Sequence, residues 1–273
     1  MGGKKTNWPV TILLIIGSLL VLFPLYLTIT IALKTPQEMA GNLLALPETW
    51  RWQNFTEAIQ LTNFFNAFTN SLIITASVVV LTLLTNSLVA YAIARNMHKR
   101  FYKFLFYYFV SAMFIPFPII MLPIVKQTSN WGMDNLTGLI MLYVVYGLAF
   151  NVFIYVGYIK SIPKELEEAA IIDGASRWQV FWRVIFPLLT PMNATVGILT
   201  TLWAWNDFML PLVILSDRDA ATLPLVQYIF QSQFSTDYNL AFASYLMALA
   251  PMVLVYIFAQ KWIISGVMKG SLK

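Results

Sequence analysis

Apolar residues in this chain gather into long unbroken runs instead of alternating with polar ones. Runs free of Asp, Glu, Lys and Arg cover residues 8–33, 58–94, 104–125, 135–159, 184–206 and 238–260. Each exceeds the roughly 20 residues that a helix needs to cross hydrocarbon. Continuous runs point to helices, because strands of a membrane barrel give alternating segments of about 10 residues. The pattern predicts an all-α membrane protein with six transmembrane helices, near 10–33, 69–94, 104–126, 137–159, 189–215 and 240–262.

Composition agrees with that reading. Hydrophobic residues make up 59% and charged residues 11%, against about 25% charged in an ordinary soluble domain. With 0 cysteines neither a disulfide framework nor a cysteine metal site is possible. The single histidine, His98, sits in a basic loop and reads as solvated. Lys4 and Lys5 precede an apolar run of about 23 residues, longer than the 7–15 of a secretory signal core, so a retained first helix is expected.

Charge sets the expected orientation. Six crossings put both ends on one side, and that side collects Lys4, Lys5, Arg95, Lys99, Arg100, Lys103, Lys160, Lys164, Arg177, Arg183, Lys261, Lys269 and Lys273. The opposite side holds Lys34, Arg51, Lys126 and Arg218. The bias predicts cytoplasmic termini in a multi-pass protein of the cell membrane. The net charge of +5 is thus a topology signal, and its scatter along membrane borders argues against nucleic acid as a partner.

Between the fourth and fifth runs lies a polar stretch, Glu165 to Pro191. Pro163 suits a first helical position, and Glu165, Glu167 and Glu168 suit the positive end of the helix dipole. Leu166, Ala169, Ala170 and Asp173, spaced i, i+3, i+4 and i+7, predict a low-relief face. Gly174 supplies the positive φ that stops a helix. Ser176 with Gln179 fits a capping box that starts a second short helix. By periodicity alone the segment could be an interfacial connector. Its acidity disfavours that, since lipid-lying helices are rich in Lys and Arg, and a protein cleft suits it better.

The order Glu168-Ala169-Ala170, then Asp173-Gly174-Ala175, Phe181, Pro187 and Pro191 closely resembles the EAA loop of ABC importer permeases, with Phe186 where that family usually has Leu. The resemblance implies the type I ABC importer permease fold, with a first helix and external segment over 1–68, a permease core over 69–262 carrying the loop at about 161–188, and a cytoplasmic tail over 263–273. It implies that Glu165, Glu168, Ala169, Ala170, Asp173 and Gly174 dock on a dimer of ATPase subunits. ATP would then bind on those partners, with no cofactor on this chain, in keeping with the lack of a G-x-x-x-x-G-K-[ST] sequence. A second, homologous permease and an extracytoplasmic solute-binding protein are implied as partners, in a bacterial or archaeal membrane.

A second likeness concerns the solute. Trp205-Asn206-Asp207-Phe208, Leu210-Pro211-Leu212, Thr222-Leu223-Pro224 and the terminal Gly266 to Gly270 are similar to the carbohydrate-uptake branch of these permeases, the maltose-type second permease in particular. Sugar is therefore the expected small-molecule substrate. The alternatives are another solute such as an amino acid, polyamine or phosphate, or a secondary transporter, which would need buried ionisable groups. Asp207 is the one acidic residue expected near a crossing. Trp203, Asn206 and Asp207 are the substrate-path candidates. For Asp207 the competing reading is a cap at a helix break before Pro211, and for the tryptophans an interfacial belt. Asn54-Phe-Thr56 matches a glycosylation triplet, a pattern common by chance. Small residues at Ser71, Thr75, Ser77, Ser87, Ala90 and Ala94 predict close helix packing in the second crossing.

Overall fold

A computed structural model of the protein describes residues 7–230 and 237–271. The described residues are helical throughout their regular structure. In chain order the helices are α1 (Trp8–Leu33), α2 (Pro36–Gly41), α3 (Gln53–Thr62), α4 (Phe64–Asn96), α5 (Arg100–Ala112), α6 (Phe117–Asn130) and α7 (Leu136–Ile159). They continue with α8 (Glu165–Ile172), α9 (Arg177–Leu188), α10 (Thr190–Asn206), α11 (Met209–Ile214), α12 (Leu223–Gln227) and α13 (Tyr238–Ser271).

Among the described residues, α1, α4, α7 and α13 are each long and apolar enough to cross a membrane unbroken. Two bent helix pairs, α5 with α6 at 106° and α9 with α10 at 75°, are long and apolar enough only when each pair is taken together. Counted as one span each, they bring the total among the described residues to six, with the outer half of α9 lying on the membrane surface. The third crossing, expected to be continuous over 104–126, is therefore corrected to a broken one. Its break falls at Met113–Pro116, where Pro116 (φ −64°, ψ 135°) starts the next helix and Pro118 follows. A residue before proline is pushed out of the helical region, which ends the first helix ahead of Pro116, while Pro118 sits in the first turn of α6, where its missing N–H costs nothing. The fifth crossing ends at Asn206, short of the expected 215, and a separate helix α11 follows a two-residue gap. Helix α13 runs on as helix through Ser271, past the expected end at 262.

The chain forms two compact units. One is built on residues up to Phe65 together with Val226–Val253. Here most side chains of α1 up to Leu25 are exposed and apolar, as suits a helix facing lipid. Its last carbonyls are capped by amides: Asn54 Nδ2 donates to the Ala32 and Lys34 carbonyls at 2.9 Å each, and Asn239 Nδ2 to those of Ile31 and Lys34 at 2.9 and 2.8 Å. Asn54 is buried by this work, which removes it as a sugar-attachment site. Lys34 is also buried, its Nζ donating to the Asn42 and Leu43 carbonyls at 2.8 and 2.9 Å. Ala32, Ala58, Phe230, Leu240, Ala241 and Ala243 form the small core of this unit.

Within the same unit, Glu38 ties a loop together. Thr35 N–H donates to its Oε2 at 2.7 Å, while Glu48 and Thr49 N–H groups donate to Oε1 at 3.0 Å each. The bonds from Thr35 and then Thr49 hold its carboxyl down at about 2, below the usual 4.5. A carboxyl with a lowered folded-state pKa adds stability at pH above 4.5 and loses it as pH falls toward 2. We expect hydrogen-exchange protection at Glu48 and Thr49 to fade over that interval, and to be weak already at neutral pH in Glu38→Gln.

The other unit, Asn66–Leu225 together with residues from Leu254 on, packs α4, α5, α7, α9 and α10 around two cores. One core holds Ala90, Ile93 and Ala94 of α4, Val152, Tyr155, Val156 and Ile159 of α7, and Val180, Phe181 and Ile185 of α9. The second holds Ile74 and Val78 of α4, Leu139 and Tyr143 of α7, Ala204 of α10, and Leu210 and Ile214 of α11. Five of the six small residues expected to allow close packing in α4 are buried, with Ser77 half-buried. Lipid offers no hydrophobic drive for helices to associate, so tight contact through small side chains has to do that work.

Candidate functional site: a surface platform and a membrane cavity

The polar segment after α7 builds a platform. Helix α8 starts at Glu165, two residues after Pro163, so Pro163 precedes the helix instead of opening it. The three glutamates of its first turn part company. Glu165 and Glu168 are exposed, whereas Glu167 turns inward and is buried. Arg95, in the last turn of α4, donates from Nε to Glu167 Oε1 at 2.5 Å and from Nη2 to the Ile162 carbonyl at 3.1 Å. Tyr91 OH donates to Glu167 Oε2 at 2.7 Å. Both oxygens of the buried carboxylate are thus satisfied, which a buried ion pair needs if its desolvation is to be offset.

The helix then stops by a Schellman motif. Gly174 takes φ +86°, its N–H donates to the Ile171 carbonyl, and Ala175 N–H donates to that of Ala170. Nothing lies within 4 Å of a Cβ placed at Gly174, so conformation and not space is what demands glycine there. The capping box is present: Gln179 N–H donates to Ser176 Oγ at 3.3 Å, and Ser176 N–H to Gln179 Oε1 at 2.8 Å. Further along α9, Pro187 has no N–H to give Arg183, and the turn before it widens so that Phe186 N–H reaches the Phe181 carbonyl five residues back. Phe181 is buried, its ring 5.2 Å from Tyr91 and 4.8 Å from Trp182.

The outer surface of α8 presents Glu165, Leu166, Glu168, Ala169, Ile172 and Asp173. Ile172 is 85% exposed and Trp178 59%. Ala170 departs from the expected face: it is half-buried and packs on the first core with Ala175. A small side chain there lets the helix lie close. Glu167, Arg95 and Tyr91 were not singled out from sequence, because three neighbouring glutamates look alike until a partner selects one.

In the same unit, α6, α7, α10 and α11 line two adjoining open cavities of about 240 and 370 Å³. The first is lined by Tyr146, Gly147, Asn151, Thr200 and Trp203 among others, and the second by Phe117, Tyr146, Trp203 and Asp207 among others. Tyr146 and Trp203 border both. Trp203 is 41% exposed and stands edge-on to Tyr143 at 5.0 Å between ring centres. Asp207 occupies the gap between α10 and α11. Met209 N–H donates to its Oδ1 at 3.1 Å, and Tyr143 OH to its Oδ2 at 2.8 Å. Asp207 thus caps the helix break and also faces the larger cavity. Asn206 does not join it, since its amide donates to the Leu202 carbonyl of its own helix at 2.7 Å. Trp205 is buried against Phe68. Tyr143, Tyr146, Asn151 and Thr200 went unselected in the sequence because single polar residues in an apolar run carry no address.

Residues 86–269 match the family model "Binding-protein-dependent transport system inner membrane component". The chain belongs to this family. Among its relatives is the "Multiple sugar-binding transport system permease protein MsmG" of Streptococcus mutans, 39% identical over 265 residues, covering 96% of this chain and 95% of the relative. Another is the "Probable starch degradation products transport system permease protein AmyC" of Thermoanaerobacterium thermosulfurigenes, 35% identical with 96% of each chain covered. Among solved structures, a chain of a bacterial ABC transporter involved in the import of the acidic polysaccharide alginate superposes with a TM-score of 0.81 at 22% identity, over 95% of this chain and 99% of that one. A second structure, an alginate ABC transporter in complex with an alginate pentasaccharide-bound periplasmic protein, gives a TM-score of 0.69 at 19% identity, covering 93% of each chain. The fold is that of ABC importer permeases. The protein is a multi-pass permease subunit of an ATP-driven importer, a type of subunit that leaves ATP hydrolysis to a separate one.

The geometry around Asp207 separates its two bonds. Asparagine can keep the cap to Met209 N–H, since Asn and Asp cap comparably. Alanine removes the cap and strands the buried Tyr143 hydroxyl, at a cost of about 1–3 kcal/mol. We expect Asp207→Asn to melt near the wild type in detergent and Asp207→Ala to melt several degrees lower, as measured by thermal unfolding.

Proposed function

We propose that this permease imports a sugar, using the α8 platform to receive the motion of an ATPase dimer and the cavities along α7 and α10 to hold solute in passage. The observation that carries the proposal is the split of the platform into two faces. Its back is fixed to α4 by a buried, fully bonded glutamate, and its front is acidic, low in relief and studded with exposed Leu166, Ile172 and Trp178. An exposed apolar group beside acidic side chains suits a cleft in a protein better than a lipid surface. Glu165, Glu168, Ala169 and Asp173 form the contact surface in this reading, Ala170 sets how closely the helix lies, and Gly174 shapes its end.

The remaining partners follow from the same reading. ATP binds at the ATPase subunits. A homologous permease completes the pathway, and an external solute-binding protein delivers the sugar. The positive-inside bias supports cytoplasmic termini and a cytoplasmic platform. Closure of the ATPase dimer pushes the platform, and the helices packed on it change the cavity from inward-facing to outward-facing.

The relatives named for sugar and starch products support carbohydrate as the solute. The cavity supports it too. Trp203, Tyr146 and Phe117 offer ring faces, while Asp207, Asn151 and Thr200 offer hydroxyl partners. Neutral polyols are met by such mixed walls, with a few polar groups fixing orientation.

Two substitutions test the docking surface. Glu168→Lys reverses a charge on the exposed front, and Gly174→Val forces a β-branched residue to positive φ. With the permease present in normal amounts, both are expected to cut co-purification of the ATPase and transport of sugar by about tenfold or more, as expected when a charge is set against its former partner at an interface. Wild-type recovery of ATPase in both variants would reject the docking assignment.

A further inference from the structure

The start of α5 and the end of α7 bring four cations to the membrane face that carries the platform. Lys99 is the N-cap of α5, Arg100 and Lys103 lie in its first turn, and Lys160 is the C-cap of α7. All four are exposed. None is paired with a carboxylate: among the described residues the ion pairs are Arg51–Glu57 and Arg95–Glu167. Lys99 and Lys103 stand one turn apart, a spacing at which like charges repel. An anion set among them would relieve that repulsion.

Two of these cations are steadied by rings. Lys99 Nζ lies 5.9 Å from the centre of the Tyr102 ring, and Lys160 Nζ 5.8 Å from that of Phe106, within the reach of a cation–π contact. Tyr102 and Phe106 are i and i+4 on α5, so ammonium groups from two helices stand over one stripe. That stripe, with Leu105 and Phe109, packs on the first core. The other side of α5 is open. Phe101, Phe104, Tyr107 and Tyr108 are exposed there, and the Phe104 and Tyr108 rings stack at 6.1 Å between centres. Arg100, Phe104 and Tyr107, at i, i+4 and i+7, set a cation at the head of that aromatic surface. From Arg100 to Tyr108 the helix rises about 12 Å, enough to run from headgroup level into hydrocarbon. Unpaired cations at one end of an exposed aromatic face match a molecule with an anionic head and apolar chains. The front of α8 is acidic and suits a partner of the opposite kind.

We propose that Lys99, Arg100, Lys103 and Lys160 bind the phosphate of an anionic phospholipid whose chains lie along Phe104, Tyr107 and Tyr108. Basic pockets between membrane helices take anionic headgroups in this way. The phosphate bridges the turn before α5 and the end of α7, and it supplies the counter-charge that no side chain of either helix provides. The site is distinct from the front of α8 and from the two cavities, so it stands whether or not α8 meets an ATPase.

The test places the assembled transporter in nanodiscs of equal parts phosphatidylcholine and phosphatidylglycerol. In one arm the phosphatidylglycerol carries a photoreactive group on an acyl chain, and in the other the phosphatidylcholine carries it. Labelling of α5 peptides is read by mass spectrometry. The anionic lipid is expected to label α5 about fivefold more than the zwitterionic one, or better, since one Lys or Arg at an anionic surface is worth about that factor. Lys99→Gln alone is expected to lower the excess severalfold. Lys99→Gln, Arg100→Gln, Lys103→Gln and Lys160→Gln together are expected to bring the two arms level. Lys99→Arg with Lys160→Arg keeps the charge and is expected to keep the excess, as is Lys126→Gln on α6. Equal labelling by the two lipids in the wild type overturns the proposal, and so does an excess that survives the fourfold variant. Loss of the excess on adding inorganic phosphate at constant ionic strength assigns the cations to free phosphate and also overturns it. ATPase lost from the fourfold variant, with lipid labelling unchanged, gives the patch to the ATPase instead. Should that variant fail to assemble, the wild-type comparison and Lys99→Gln still decide.

Discussion

The ion pair between Arg95 and Glu167 decides where the platform lies. A carboxylate taken out of water is costly unless each lone pair finds a donor, and here the guanidinium and the Tyr91 hydroxyl supply them. Those donors sit on consecutive turns near the end of α4, so Glu167 can be satisfied in one place only. Once it is, Glu165 and Glu168 of the same turn face outward, and Phe181 closes against Tyr91. The pair thus converts a run of acidic residues into a surface with a fixed back and a free front.

The lipid solvent imposes the complementary constraint. Within hydrocarbon every backbone polar group needs an internal partner, so helices may stop only where something else can bond their ends. Asp207 does this at the gap between α10 and α11, where its carboxylate takes one backbone N–H and one buried tyrosine hydroxyl. Asn54 and Asn239 do it at the end of α1. Several polar side chains thus sit at helix ends, and a single group such as Asp207 can serve structure and still border the path of a solute.

Much of the architecture was legible in the sequence because hydrocarbon thickness is a strict ruler. Unbroken apolar runs located the four unbroken spans and overlapped both bent pairs, and local rules located the αL stop at Gly174 and the capping box at Ser176, since those depend on a few adjacent residues. The misses are of two kinds, one local and one long-range. Charge-free length ran straight through the break at Met113–Pro116, although Pro116 and Pro118 marked it. The i, i+3, i+4 spacing places Ala170 on the outer face, whereas packing on the core draws it in. The choice of Glu167 over its neighbours, and of Tyr143 as the partner of Asp207, depends on helices 64 or more residues apart in sequence, which no local pattern encodes.

The central claim is that the front of α8 meets an ATPase subunit while its back belongs to the membrane domain. A photocrosslinking amino acid placed in turn at Ile172, at Ala169 and at the buried Val180 of the assembled transporter tests it directly. Attachment of the ATPase from Ile172 and Ala169, with none from Val180, is the expected result. Crosslinks from Ile172 and Ala169 to lipid alone would contradict the account.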